Sequence, residues 1–90
     1  MQGLIQDIFV ISREITDITD QHKQLHYYVK QFDSSYGIKI TCNSNNSPTY
    51  SESTLGLTPS YEQATKWVNM MAANDVTPIT LHDVVDDLIF

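Results

Sequence analysis

The chain is poor in what many functions require. One cysteine in 90 residues excludes an internal disulfide and every zinc pattern built on several cysteines, and it fits a reducing compartment. The glycines Gly3, Gly37 and Gly56 stand isolated, so no glycine-rich phosphate loop is present. Only 5 residues are basic against 11 acidic, a formal charge of -6 that argues against the basic face of a nucleic-acid binder. Charged residues reach only 18%, below the roughly 25% of an average soluble protein, and uncharged polar residues fill the difference. The longest apolar run, Ile8-Phe9-Val10-Ile11, falls far short of the ~18 residues of a membrane span. The N-terminus also lacks the basic start and apolar core of a signal peptide, so a soluble, unexported, cytoplasmic protein is expected.

Hydrophobic residues make up 41% of the chain, which is globular in character. The length suits one small domain over residues 1–90, with no room for a cofactor domain beside a substrate domain. The acidity is uneven: Lys66 is the single basic residue after position 45 and faces six acids there.

Leu4, Ile8, Ile11, Ile15, Ile18, Leu25, Val29 and Phe32 follow one another in steps of four and three, with His22 breaking the series. This is a heptad seam, and Ile5 and Phe9 widen it. It predicts a long N-terminal helix, either continuous or broken near residues 16–20, where Asp17 or Asp20 would cap a second segment. A continuous helix would be roughly 40 Å long, against about 30 Å for the diameter of so small a domain. A second chain covering the overhang makes a coiled-coil homodimer the expected state, with Leu4, Ile8, Ile11, Ile15, Ile18, Leu25 and Val29 as its interface.

Gly37 closes this region, and Ile38, Ile40 and Cys42 alternate with Lys39 and Thr41 as in a half-buried strand. The turn formers at positions 43–48 and a polar return over Thr49–Thr54 complete a β-hairpin. Thr58-Pro59 begins a helix that carries Tyr61, Ala64, Trp67, Val68, Met71 and Ala72 on one face up to Asn74. Thr80 and Asp83 form a weak capping box for a last helix. That helix sets Leu81, Val84, Val85, Leu88 and Ile89 against Asp83, Asp86 and Asp87. The expected fold is therefore α+β and mostly helical: a long helix, a hairpin and two short C-terminal helices.

No catalytic constellation is visible. His22 and His26 are four apart, but Lys23 stands where a metalloprotease would carry Glu, and a third ligand would have to come from Asp33, Cys42 or His82. At an a position His22 is better read as a polar residue that fixes register, and His26 as solvated. Cys42 has no nameable base, and no serine lies in a nucleophile elbow. Asn45-Asn46-Ser47 matches the glycosylation triplet but precedes Pro48 in a chain without an export signal, and it is set aside. Neither cofactor nor metal is expected.

What remains is interaction. Asp83, Asp86 and Asp87 share one helix face with no later cation to neutralise them, and this face suits a partner with a basic surface. Tyr61, Trp67 and Met70 supply the aromatic and thioether content of interface cores. The expectation is a non-enzymatic protein-interaction module, an adaptor or an inhibitor of a host protein, that self-associates through its N-terminal helix. The alternative is a small acidic mimic of nucleic acid that blocks a nucleic-acid-binding enzyme, in the manner of phage or plasmid accessory proteins. Neither reading involves direct nucleic-acid or membrane contact.

Overall fold

The computed structural model describes residues 5–16, 22–44, 47–54 and 56–89. The N-terminal half is a β-sheet. Strands β1 (Ile5–Thr16), β2 (His22–Phe32), β3 (Ser35–Ser44) and β4 (Ser47–Ser53) pair in chain order as an antiparallel meander. Helix α1 (Tyr61–Ala73), a 3-10 turn (Pro78–Thr80) and helix α2 (Leu81–Ile89) follow. The fold is α+β, a four-stranded sheet with two C-terminal helices. The expected long helix and its coiled coil are overturned.

The physical reason lies in β1. The pairing of β1 with β2 runs from Ile5 opposite Phe32 to Phe9 opposite Tyr28, then resumes with Ile11 opposite Tyr27. Val10 is the extra residue of a β-bulge, so side-chain parity shifts by one there. Ile8 before the bulge and Ile15 after it both pack toward the core, although they are seven apart. Alternation with one inserted residue thus produces the same steps of four and three as a heptad.

Between Thr16 and His22 the chain reverses direction, where the broken-helix alternative placed its break. Leu4, Asp17, Ile18 and Asp20 lie outside the described residues. The β2–β3 connection is the pair Asp33-Ser34, with Asp33 in the left-handed region at φ 54°, which Asp tolerates better than most residues. Gly37 does not end a helix; it sits buried within β3, opposite Lys30.

The expected hairpin is present as β3 and β4, extended by the two strands before it. Helix α1 begins two residues later than expected: Ser60 is its N-cap and accepts from the Gln63 N–H at 3.1 Å, while the Thr58 hydroxyl accepts from the Ser60 N–H. It ends at Asn74 as expected, and Asp75 follows at φ 52°, the left-handed residue that commonly closes a helix.

The core lies between the helices and one face of the sheet. Leu25, Tyr27 and Val29 of β2 and Ile38 and Ile40 of β3 are fully buried against Ala64, Val68, Met71 and Leu81. Helix α1 packs across β1, β2 and β3, and the 3-10 turn packs on β3 and β4. Two polar ties hold the layers together. The Tyr27 hydroxyl donates to the Val76 carbonyl at 2.7 Å, and Arg13 on the edge strand donates to Asp75 at 3.1 Å. No helix among the described residues is long and apolar enough to cross a membrane.

Candidate functional site

The helices pack on one face of the sheet; among the described residues the other is open. Strand pairing sorts its residues into rows across the strands. Asp7, Lys30 and Gly37 form the first row, and Phe9, Tyr28, Lys39 and Ser53 the second. Ser12, His26, Thr41 and Ser51 form the third, and Glu14, Gln24 and Asn43 the fourth. An open recess lined by Glu14, His22, Gln24, Asn43 and Ser44 lies at the fourth-row end.

An aromatic cluster occupies the middle rows. The Phe9 and Tyr28 rings meet edge to face at 5.6 Å, and Phe9 lies 6.2 Å from the His26 ring. Lys39 Nζ sits 5.3 Å from the centre of the Tyr28 ring, within cation–π range. Phe9 is nevertheless 54% exposed, a large apolar side chain standing on an uncovered sheet. His26 Nε2 is occluded and has no hydrogen-bond partner among the described residues.

Asp7 bridges three strands by accepting from Lys39 of β3 at 2.8 Å and from Lys30 of β2 at 3.2 Å. Partial burial pushes its pKa up, but the hydrogen bonds and charges of Lys39 and Lys30 outweigh burial and hold the carboxyl below its ordinary value. Asp7, Glu14, Lys30 and Lys39 carry two charges of each sign, so these four cancel. The whole excess of -6 resides elsewhere in the chain.

Of the expected interface residues, Leu25 and Val29 are fully buried in the core, Ile8 and Ile15 are half-buried against it, and Ile11 is 36% exposed, while Leu4 and Ile18 lie outside the described residues. Strand alternation points Ile8, Ile15, Leu25 and Val29 at the core beneath the helices. Asp83, Asp86 and Asp87 are exposed on α2 as expected. Tyr61 is exposed on α1 with its ring 5.5 Å from that of Tyr36, whereas Trp67 and Met70 are half-buried at the fringe of the core.

His22 and His26 share a face of β2, but four residues of strand separate them by about 13 Å, too far for one ion. Among the described residues no three His, Cys, Asp or Glu side chains could hold a metal together. Cys42 lies half-buried at the fringe of the core, paired across the strands with Leu25 and Tyr50. The open face has no counterpart among the sequence expectations. Its signal was present in β2, where His26, Tyr28 and Lys30 alternate with the buried Leu25, Tyr27 and Val29.

Residues 6–90 match the family described as "Family of unknown function (DUF6514)". The chain belongs to the DUF6514 family. No curated protein and no solved structure matches it. The match begins just before Asp7 and spans the described sheet-and-helix unit except Ile5, so Asp7, Phe9 and the other open-face rows lie within the family's extent.

Proposed function

We propose that this DUF6514 chain is a non-enzymatic protein-interaction module whose contact surface is the open face of its sheet. The observation that carries this reading is the Phe9, Tyr28 and His26 cluster, topped by the exposed Phe9, at the centre of a face that no part of the described chain covers. Interface cores are enriched in aromatic residues within a polar rim, and here Ser12, Thr41, Ser51, Gln24 and Asn43 supply such a rim. The side chains stand on paired strands, so little conformational entropy is lost when a partner orders them. Aromatics with lysines on a sheet also suit stacked single-stranded nucleic acid, but a chain of net charge -6 would meet phosphates with long-range repulsion. The module works as an adaptor or an inhibitor, in a cytoplasmic setting that the single unpaired Cys42 fits.

The test places the photo-reactive residue p-benzoylphenylalanine at position 9, with the same substitution at Asp86 on α2 as the reference. Irradiation in cells is expected to give polypeptide adducts from position 9 in clear excess over position 86. Nucleic-acid adducts from position 9, or no excess of polypeptide adducts there, would overturn the reading.

A further inference from the structure

We infer that the occupant of the open face is a second copy of this chain, the two sheets packing face to face around Phe9 and Tyr28. This rests on the protein-interaction reading above and names the partner. Charge favours a second copy at this face. Two copies each carrying -6 repel through most of their surfaces, but the charges of the open face sum to zero. Two acidic copies can therefore meet across this surface without confronting net like charge.

Charge also has a direction along the face. Asp7, Lys30 and Lys39 leave one excess positive charge at the first-row end, and Glu14 leaves one negative charge at the fourth-row end. A twofold axis lying between the sheets and crossing the strands lays each end over its opposite, so the surface is self-complementary as an isologous dimer requires. The same operation brings the aromatic second row of each copy over the Ser12, His26 and Thr41 row of the other.

The face also has the size that such a contact requires. Four strands spaced by about 4.8 Å, each contributing about nine residues at about 3.4 Å, give a face of about 600 Å². Two such faces bury about 1,200 Å², the lower bound of a specific, stable interface. Packed sheets stand about 10 Å apart with strands within about 30° of each other, a gap that the Phe9 and Tyr28 rings can fill.

Sedimentation of the purified chain at about 10–100 µM tests this, because weak interfaces of micromolar Kd fill in that range. The expected mass is twice the 10.3 kDa of one chain. Phe9→Asp is expected to weaken the dimer by about tenfold or more, with unchanged far-ultraviolet circular dichroism because the side chain is exposed. Thr41→Arg on β3, in the third row of the same face, provides a second disruption independent of β1 folding. Asp86→Asn is expected to leave the dimer intact. A chain that remains monomeric at 100 µM overturns the inference, as does a dimer that survives both Phe9→Asp and Thr41→Arg. Monomeric behaviour together with cross-links from position 9 to another polypeptide would end this inference and leave the interaction reading standing.

Discussion

Tyr27 and Tyr28 are adjacent in the chain and occupy opposite faces of the sheet. Tyr27 is fully buried, its hydroxyl held by the Val76 carbonyl, and burial with the nearby Asp75 charge pushes its pKa up to about 12. Tyr28 packs beneath the half-exposed Phe9 and beside Lys39, with no helix above it. One face has an apolar partner within the chain; the other has aromatic surface and polar neighbours but no partner among the described residues. The helices pack on one face of the sheet, and no described element packs on the second. A four-stranded sheet can face water on one side, but a face of purely solvating character would carry neither Phe9 nor an aromatic cluster around it.

Truncating one residue on each face separates the two environments most clearly. Leu25→Ala removes a fully buried side chain beneath helix α1 and is expected to cost about 2–5 kcal/mol. Phe9→Ser, measured at a concentration where the chain is monomeric, is expected to cost about 1 kcal/mol or less, the worth of one cross-strand aromatic pair. Urea unfolding followed by circular dichroism measures both. Equal losses would mean that Phe9 belongs to the core and that the open face is not free for a partner.

The two halves of the chain also differ in how legible they were. In the C-terminal half the preferences mostly agree: an apolar stripe with period 3.6 and a stop at Asn74 and Asp75, with only the start displaced, from Thr58-Pro59 to a capping Ser60. The helices there were readable to within two residues. In the N-terminal half two periods compete. A step of four keeps a side chain on the same face of a helix or of a strand, so Leu25 and Val29 cannot discriminate. Steps of three discriminate only for an unbroken strand, and the bulge at Val10 lets Ile8 and Ile11 straddle one. The better evidence was Tyr27 between Leu25 and Val29, and the density of β-branched residues from Ile5 to Thr16. The turn Asp33-Ser34 lacks glycine and gave no hairpin signal. The open face could not be located until the register was right, because a one-residue slip exchanges its residues for the core. The acidic face of α2 was legible from spacing alone.

A smaller effect is expected from the three-strand clamp at the first-row end of the open face. Asp7→Asn removes the acceptor charge shared by Lys30 and Lys39 and is expected to cost about 0.5–1 kcal/mol at neutral pH. Because the folded-state pKa of Asp7 is lowered, its contribution is present above the unfolded-state pKa and is lost as pH falls through the lower folded value. The stability difference between parent and variant should therefore shrink only below the ordinary carboxylate range. Unfolding curves at neutral and acidic pH check this. A difference that stays constant into acid would mean that Asp7 acts through packing and not charge.

The smallest effect is expected on the side of the molecule farthest from neutral. Asp83, Asp86 and Asp87 are exposed on α2, and Asp86 and Asp87 sit near the C-terminal end of that helix, where negative charge opposes the macrodipole. Replacing both with Asn removes two unfavourable charges from the helix end and relieves part of the net -6. The expected change is within about 0.5 kcal/mol of the parent and of stabilising sign, largest at low ionic strength where screening is weakest. If the open face pairs with a second copy, the same double variant should also associate slightly faster at low salt, because less like charge approaches at long range. Thermal unfolding and association kinetics at two salt concentrations measure the two consequences on one protein. Marked destabilisation would show that these carboxylates make contacts that hold the fold, in which case the acidic helix and the neutral sheet would not be the independent surfaces described above.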